Sequence, residues 1–351
     1  MQIYENFSLA DVLWYKIGGK AKYFISCENH DDILEALAFI EREKPNRLII
    51  CGQGTNLIFS DEYFDGVVIQ IVSPHPNPLP QGAREDITLV PSPLRGEYQL
   101  PKASLAKSGD EGEIGSHVTA FAGTILDDVV TFAFDNNLTG LEWAGGLPGT
   151  VGAGVRGNVG AYGGEIKDNL VSAEVIDYSG SKPELKTLSN TDLQFVYRGS
   201  VVKTQKKMVV VSATFGLKKS TDYEVELAKQ VYEKNKQTRR DRHPLEYPNC
   251  GSVFKNLRKP EEIAAVLEVY PDLKETIENK WYGKVAVASL LERFGLKGYR
   301  VGNAQVSEKH ALFIVNLGGA KSSDVLQIIN DIQEKFEQTF GFRLEVEVEI
   351  V

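Results

Sequence analysis

Hydrophobic periodicity along the chain predicts a mixture of helices and strands. The segment DDILEALAFIERE at 31–43 places Ile33, Leu34, Leu37 and Ile40 on one helical face, with acidic residues at its start. Similar patterns predict helices at 124–136, 222–238, 260–269, 284–294 and 321–340, and strands at 47–51, 66–72, 171–178, 207–216, 311–316 and 344–351. Because strands and helices alternate without a repeated βαβ unit, the predicted class is α+β.

The segment 73–117 interrupts this pattern. It holds seven of the 14 prolines and shows no periodicity, so it cannot form a core. We interpret it as a surface insertion between two strands, with regular structure resuming at Val118. Two roles stay open: a Pro-rich ligand for a partner domain, or a tolerated surface loop, since long insertions cost little loop entropy.

The amino-acid composition excludes several classes of protein. Hydrophobic residues make up 42% of the 351 residues, as in a globular protein, and the net charge is 39 − 48 = −9. This acidity argues against nucleic-acid or membrane partners, and no apolar run reaches the roughly 18 residues of a membrane span. The N-terminus lacks a signal peptide, and three dispersed cysteines indicate a reducing compartment, so we expect a cytoplasmic protein. Five histidines without ligand spacing predict no metal site.

A short glycine-rich motif, Gly52-Gln-Gly54-Thr55-Asn56, follows the predicted strand at 47–51. It lacks the third glycine and the helix of a Rossmann fingerprint, so that interpretation fails. Glycine amides could still converge on a phosphate, with Thr55 and Asn56 as side-chain donors. The alternative is a plain turn between strands.

A second glycine-rich segment, 145–164, carries nine glycines in twenty residues. It retains apolar residues such as Leu147 and Val151, unlike a flexible linker. Such glycine density lets a flat ligand approach the backbone closely, which favours a binding site. It also lets another backbone approach closely, so the alternative interpretation is a tightly packed structural loop. Two phosphate-type loops in one acidic chain favour a dinucleotide cofactor bound outside the Rossmann topology.

Seven motifs in order carry a family resemblance. They are YKIGGKAKYF (15–24), CGQGTNLIFSD (51–61), LTGLEWAGGLPGTVGAGVRGNVGAYGGEIKD (138–168), FVYRGS (195–200), RRDRHPLEYPNCGSVFKN (239–256), LKGYRVGNAQVSEKHALFIVN (296–316) and LEVEVEIV (344–351). The chain resembles the UDP-N-acetylenolpyruvoylglucosamine reductase (MurB) family. The resemblance implies an FAD-binding fold of the vanillyl-alcohol-oxidase type, NADPH as reductant, and reduction of UDP-N-acetylglucosamine enolpyruvate to UDP-N-acetylmuramate for peptidoglycan synthesis.

The same resemblance implies how the chain is divided. The expected parts are an FAD-binding lobe at 1–72, the insertion at 73–117, a second FAD-binding lobe at 118–221, a substrate-binding domain at 222–343 and a terminal strand at 344–351. The family has two sub-types. The region between Lys219 and Arg239 resembles the sub-type that lacks a tyrosine-bearing loop, whereas 260–283 is long for it. We expect a monomer acting on a small molecule, although the sequence does not fix the oligomeric state.

Three catalytic residues follow from the resemblance. Arg198 matches the arginine that binds the substrate carboxylate, and Ser252 matches the proton donor. Glu347 matches a glutamate beside the developing enolate, which would have to be protonated or share a proton. Since Glu345, Glu347 and Glu349 alternate, a two-residue slip would make Glu345 the catalytic residue instead.

The resemblance also assigns binding residues. For the flavin they are Gly52, Gly54, Thr55, Asn56, Gly149, Thr150, Gly152, Asn158, Gly160 and Arg239; for the substrate they are Arg242, Lys255 and Asn256. Arg242 stands where the family usually has lysine. Two other functions remain open: another flavin oxidase or dehydrogenase with the same cofactor fold, and a non-catalytic protein that binds a sugar nucleotide.

Overall fold

The computed structural model describes residues 1–73, 104–106 and 115–351. Its strands are β1 (Gln2–Ser8), β2 (Lys20–Cys27), β3 (Leu48–Cys51), β4 (Leu57–Ile58), β5 (Phe64–Ile71), β6 (Ser104–Ala106), β7 (Gly115–Phe121), β8 (Leu138–Thr139), β9 (Gly160–Ala161), β10 (Gly164–Glu165), β11 (Leu170–Asp177), β12 (Glu184–Ser189), β13 (Met208–Lys219), β14 (Asn249–Ser252), β15 (Arg300–Val301), β16 (Ala304–Val306), β17 (Phe313–Asn316) and β18 (Glu349–Ile350).

The helices accompany these strands in the α+β order expected from the sequence. They are α1 (His30–Glu43), α2 (Leu126–Asp135), α3 (Val151–Gly157), α4 (Ile166–Asn169), α5 (Val201–Gln205), α6 (Asp222–Arg242), α7 (Pro260–Val269), α8 (Lys274–Asn279), α9 (Val287–Arg293) and α10 (Ser322–Phe340). Among the described residues, no helix is both long and apolar enough to cross a membrane.

The chain divides into two compact units. The first unit comprises Met1–Phe7, Ala21–Gln53 and Phe64–Arg239, and the second comprises Ser8–Lys20, Gly54–Tyr63 and Arg240–Val351. Two short N-terminal segments thus belong with the C-terminal part of the chain, whereas the family resemblance implied one lobe at 1–72. Most of α6 belongs to the first unit, whereas it was expected to open the substrate-binding domain.

A four-stranded sheet forms one part of the first unit. Its strand order is β1-β2-β5-β3, and β2 and β3 both run parallel to β5. Helix α1 connects β2 to β3, which gives a βαβ arrangement that the sequence pattern did not reveal. The Asn29 side chain caps α1 by accepting a hydrogen bond from the Asp32 N–H at 2.9 Å. A short strand, β4, follows the Gly52 turn instead of a helix, so the rejection of a Rossmann fingerprint is confirmed.

A second, antiparallel sheet completes the first unit. Its order is β12-β11-β13-β7-β6, with β8 paired to β13. Strand β7 begins at Gly115, three residues before the predicted restart at Val118, and β6 pairs with it from inside the predicted insertion. The remaining insertion, 74–103 and 107–114, lies outside the described residues. One hydrophobic core joins both sheets with α1 and α2, around residues such as Ile25, Val67 and Phe215.

The second unit is built on an antiparallel sheet of order β14-β17-β16-β15. Helix α10 packs on β15 and β16 through Val325, Ile328, Ile329, Ile332 and Phe336, which recur at helical spacing and are buried. A second core surrounds these side chains and includes Tyr15 and Ile58 from the N-terminal segments of this unit.

Two predicted elements differ from the structure. The glycine-rich segment 145–164 is not a continuous loop, because it contains helix α3 and the hairpin β9–β10. The predicted terminal strand 344–351 is wrong over most of its length: only Glu349–Ile350 joins a ladder, where it runs parallel to β4. Before it, Val346 forms an isolated antiparallel bridge with Phe254.

Candidate active site

The predicted site residues are distributed over both units. In the first unit lie Gly52, Gly149, Thr150, Gly152, Asn158, Gly160, Arg198 and Arg239; in the second lie Gly54, Thr55, Asn56, Arg242, Ser252, Lys255, Asn256 and Glu347. The cofactor residues and the catalytic residues expected from the family are thus each divided between the units.

In the first unit, Gly52 and Thr150 are in contact, so the structure brings together residues from the two glycine-rich motifs. A Cβ at Gly52 would lie 2.5 Å from the Thr150 hydroxyl oxygen, which leaves no room for a side chain. The Gly52 carbonyl accepts a hydrogen bond from the buried Gln70 amide at 3.1 Å. Glycine is therefore required here for the close approach of the two motifs.

The backbone amides at the start of α3 donate hydrogen bonds to carbonyl groups within the chain. The Val151 N–H donates to the Thr124 carbonyl at 2.9 Å, and the Gly152 N–H donates to the Ala122 carbonyl at 2.8 Å. A Cβ at Gly152 would lie 2.8 Å from the Ala122 Cβ. Gly152 thus serves the packing of α3 on the end of β7, and its N–H is already engaged. Gly149, at φ +106°, forms the turn that leads into this helix.

Asn158 and Gly160 also have structural roles. Asn158 is completely buried at φ +44°, where it ends α3, and its side chain forms hydrogen bonds with three other residues. A Cβ at Gly160 would lie 2.6 Å from the Gly164 carbonyl oxygen across the β9–β10 hairpin. Both were predicted to contact a cofactor. The structure explains them by the chain's own packing.

Arg198 lies in a tight two-residue turn. Val196 and Gly199 exchange backbone hydrogen bonds of 3.0 and 3.1 Å around Tyr197 and Arg198. Arg198 has φ +59°, a conformation that non-glycine residues rarely adopt outside turns and functional sites. Its guanidinium lies 5.2 Å from the centre of the Tyr197 ring, in cation–π range. The turn thus fixes the backbone from which the half-buried Arg198 side chain starts.

Arg239 is a buried cation on α6, with 8% of its surface exposed. Its guanidinium lies 5.5 Å from the centre of the Tyr162 ring, and burial lowers its pKa. Within the described part of the chain, Nε of Arg239 is buried without a hydrogen-bond partner. Since a buried N–H of a charged group is costly to leave unpaired, this atom indicates a missing acceptor.

A polar network beside Arg239 was missed by reasoning from the sequence. Asp127 accepts hydrogen bonds from the Tyr232 hydroxyl at 3.0 Å and from the Gly146 N–H at 2.8 Å, while Lys236 donates to Tyr232 at 3.0 Å. Tyr232, Lys236 and Arg239 recur at intervals of four and three on α6, which was the only signal in the sequence. The network fixes the face of α6 that carries Arg239.

In the second unit, the segment 54–56 lies against the C-terminal segment. The Asn56 side chain donates to the Glu347 carbonyl at 3.4 Å, and its backbone carbonyl accepts from the Glu349 N–H at 3.0 Å. A Cβ at Gly54 would lie 2.4 Å from the Leu13 side chain, so this glycine too is required for packing. The structure therefore brings Asn56 and Glu347 together.

Ser252 ends β14 directly after a bulge. The register between β14 and β17 pairs Asn249 with Val315 and Ser252 with Phe313, which places one extra residue on β14. Gly251 has φ +79°, and its N–H donates to the Asn249 side chain at 3.0 Å. A bulge of this kind turns the strand and redirects the side chain that follows it. The bulge thus sets the direction of Ser252.

Ser252 and Glu347 lie on two segments that are hydrogen-bonded to each other. The Glu347 N–H donates to the carbonyl of Val253, the residue after Ser252, at 2.7 Å. Glu347 is half-buried, whereas Glu345 is exposed and forms an ion pair with Lys255. The surroundings of the two glutamates therefore differ. Lys255, predicted to bind the substrate, forms its ion pair with Glu345.

The remaining predicted substrate residues have other surroundings. The Asn256 side chain accepts from the Val287 N–H at 3.1 Å, at the first residue of α9, so its role here is to cap that helix. Arg242 is exposed at the end of α6. Burial raises the pKa of the Cys250 thiol to about 12, as expected for a cysteine that packs in the core rather than acting as a nucleophile.

An aromatic cluster next to β14 was also missed. The rings of His243 and His310 have centroids 5.4 Å apart, and both contact Phe313, the pairing partner of Ser252. Nδ1 of His310 accepts a hydrogen bond from the Leu312 N–H at 3.3 Å. The two histidines lie far apart in the sequence, so no local motif predicted their contact. No group of three potential metal ligands occurs in residues 1–73, 104–106 and 115–351.

Comparison with known families matches both halves of the chain. The family model described as "UDP-N-acetylenolpyruvoylglucosamine reductase, C-terminal domain" matches residues 243–351, and the model described as "FAD binding domain" matches residues 108–185. A solved structure, the UDP-N-acetylenolpyruvylglucosamine reductase (MurB) of Thermus caldophilus, aligns over 100% of this chain and 99% of its own with a TM-score of 0.68 and 24% identity. The fold expected from the sequence is thereby confirmed.

Curated relatives extend the likeness over almost the whole chain. The UDP-N-acetylenolpyruvoylglucosamine reductase of Caldicellulosiruptor saccharolyticus is 34% identical over 98% of this chain and 90% of its own length. The protein of the same name from Listeria innocua is also 34% identical, over 99% of this chain and 94% of its own. Identity at this level over full length confirms the resemblance first seen in seven motifs. The chain belongs to the UDP-N-acetylenolpyruvoylglucosamine reductase family.

Proposed function

We propose that the chain is an FAD-dependent reductase of peptidoglycan precursor synthesis that works in the cytoplasm. It uses NADPH to reduce UDP-N-acetylglucosamine enolpyruvate to UDP-N-acetylmuramate. The observation that carries the proposal is the full-length identity to relatives that bear this enzyme's name. The retention of Arg198, Ser252 and Glu347 in motifs of that family supports it.

The residues present fit a flavin nucleotide. Arg239 offers a buried cationic N–H without a partner among the described residues, and a phosphate or a flavin carbonyl is the kind of acceptor that would satisfy it. The backbone of Gly52 packs directly against the Thr150 side chain, which brings the two glycine-rich motifs together. Arg239, Gly52 and Thr150 are therefore the first-unit residues that would hold the cofactor, which when bound supplies a hydride to the enolpyruvyl double bond.

Arg198 would bind the substrate carboxylate. A guanidinium can hold a carboxylate through two parallel hydrogen bonds and remains charged throughout the reaction. As negative charge develops on the carbon next to the carboxylate, the same contact strengthens, which lowers the barrier. The constrained turn around Arg198 holds the cation in place before the substrate arrives.

Ser252 would donate the proton that completes the reduction. A serine hydroxyl is a weak acid, so it can serve only where the carbon acceptor is strongly basic and the hydroxyl is fixed in direction. The bulge at Gly251 supplies that direction. We assign the shared proton near the developing enolate to Glu347, which is half-buried on the neighbouring segment, and not to Glu345, which is exposed and paired with Lys255.

Two half-reactions measured under anaerobic conditions test this function. The purified protein should be yellow, NADPH should bleach the flavin absorbance, and the enolpyruvyl sugar nucleotide should restore it with formation of UDP-N-acetylmuramate. Restoration by oxygen but not by this substrate would indicate a different flavin oxidase or dehydrogenase. A colourless protein that takes up no FAD would exclude both functions.

A further inference from the structure

The turn that carries Arg198 is held by neighbouring segments. The Ser200 hydroxyl donates to the Arg156 carbonyl at 2.8 Å, and the Lys203 ammonium donates to the Arg198 carbonyl at 3.2 Å. A positive φ at arginine is unfavourable and persists only where the surroundings enforce it. These two contacts fix the backbone on the side of the turn that follows Arg198.

Asn158 fixes the preceding side of the turn. Its amide nitrogen donates to the Val196 carbonyl at 3.1 Å and to the Glu165 carboxylate at 2.9 Å, while its oxygen accepts from the Lys167 N–H at 3.2 Å. Because Asn158 is completely buried, these bonds do not compete with water. One side chain thus connects the Arg198 turn to the carboxylate of Glu165.

Glu165 presents a negative charge to this region. Burial favours its neutral form, but hydrogen bonds from Lys167 and Asn158, together with the charges of Lys167 and Arg198, hold the pKa of Glu165 below its usual value. The Lys167 ammonium lies 3.0 Å from the carboxylate. Glu165 is therefore an anion whose electrostatic partners include the Arg198 guanidinium.

We propose that Glu165, fixed by Asn158 and Lys167, is a positioning residue for Arg198. Its carboxylate accepts from the same Asn158 amide that donates to the Val196 carbonyl, so the turn that carries Arg198 is anchored before a carboxylate binds. The inference rests on the proposed function, in which Arg198 binds the substrate carboxylate. Glu165 also caps the short helix α4 in a capping box with Asp168. The test must therefore separate positioning from capping.

The variant Glu165→Gln separates the two roles, since glutamine retains the size and the acceptor oxygen but loses the charge. We expect the flavin content and the rate of reduction by NADPH to stay within about twofold of wild type, with little shift in the melting temperature. The KM for the enolpyruvyl sugar nucleotide should rise about tenfold, in the range of coupling between neighbouring residues, with a smaller change in kcat. Glu184→Gln, an exposed carboxylate 3.5 Å from Lys186 in the same unit, is the matched control and should behave as wild type.

A double-mutant cycle with Arg198→Gln decides whether Glu165 acts through Arg198. If it does, Glu165→Gln adds no further loss when Arg198 is already glutamine. An unchanged KM in Glu165→Gln, or an equal loss in both backgrounds, would overturn the positioning role while leaving the proposed function intact. A normal second half-reaction in Arg198→Gln would instead overturn the role of Arg198 and the positioning role with it. Should Glu165→Gln fail to fold, Glu165→Asp replaces it in the cycle, because the shorter side chain withdraws the carboxylate from Asn158 and Lys167 while an acidic residue remains at the start of α4.

Discussion

At the scale of single residues, Ser252 carries the most direct prediction. If its hydroxyl donates the proton, Ser252→Ala should leave reduction of the flavin by NADPH near normal and slow reoxidation by the enolpyruvyl sugar nucleotide by about 100-fold or more, as is typical for loss of a general acid. Stopped-flow absorbance of the flavin measures both steps. Ser181→Ala, at an exposed position of the first unit, is the control and should be silent. Survival of both half-reactions in Ser252→Ala would exclude the serine as donor.

His310 gives a residue-scale prediction about pH. Burial lowers its pKa, and the charges of Lys297 and Arg242 act in the same direction against that of Glu292. The unfolded chain, with an ordinary histidine pKa of about 6.5, then binds a proton before the folded chain does, so stability is lost as the pH falls below about 6.5.

Replacement of this histidine should reduce the loss of unfolding free energy that occurs as the pH falls below about 6.5. His310→Asn keeps an acceptor for the Leu312 N–H but cannot be protonated. The difference in free energy of unfolding between wild type and His310→Asn should therefore decrease between pH 7 and pH 5.5, as measured by urea denaturation. Parallel pH curves for the two proteins would contradict the assignment.

At the scale of elements, the bulge in β14 is the feature that most directly serves the chemistry. Gly251→Ala places a Cβ in open space, since the nearest atom lies 3.9 Å away, but at a φ of +79°. The cost is therefore backbone strain of about 1–2 kcal/mol. A strained bulge would redirect Ser252, so the second half-reaction should slow while the first is unchanged.

Gly295→Ala is the matched control for this element. Gly295 has φ +67°, and a Cβ at this position would meet no atom within 4 Å, so it suffers the same backbone strain at the end of α9. Both variants should lose similar amounts of stability in chemical denaturation. A slower second half-reaction in both, or in neither, would show that the bulge does not control the direction of Ser252.

The long amphipathic helices could be predicted from the sequence, whereas the glycine-rich helix and the extent of the terminal strand could not. Helices α1 and α10 show buried residues at helical spacing, and their predicted ends agree with the structure within a residue or two. Helix α3 was missed because glycine has the lowest helix propensity of the residues it contains; its stability comes from packing against β13 and the end of β7. The alternation in 344–351 predicted a full strand, but alternation alone cannot supply pairing partners along its whole length.

At the scale of the whole molecule, the ordered motifs were enough to predict the family and its fold. They did not predict which segments of the chain belong to which compact unit. Ser8–Lys20 and Gly54–Tyr63 belong to the second unit through long-range packing around Tyr15 and Ile58. The Gly52–Asn56 motif is thus divided between units, which a local pattern cannot reveal. The same limit applied to the Asp127 network and the pair of His243 and His310, whose members are distant in sequence.

The structure shows which residues at the two ends of the proline-rich insertion belong to the fold. Ser73 is part of the first unit, because its N–H donates to the Gly123 carbonyl at 3.0 Å and a Cβ at Gly123 would lie 2.4 Å from Val72. At the other end, β6 and β7 pair in the antiparallel sheet. Deletion of 73–117 would therefore remove anchored residues.

Two deletions should consequently differ. Replacement of 74–103 by a short glycine-serine linker retains Ser73 and both strands, so flavin content and turnover should stay within about threefold of wild type, since loop length has a small entropic cost. Deletion of 73–117 removes β6, the start of β7 and the bond from Ser73 to Gly123. Because Thr124, next to Gly123, accepts from the first amide of α3, this deletion should weaken FAD binding as well as stability. Equal loss of flavin in both proteins would mean that 74–103 itself supports the cofactor site, and would contradict its interpretation as a dispensable insertion.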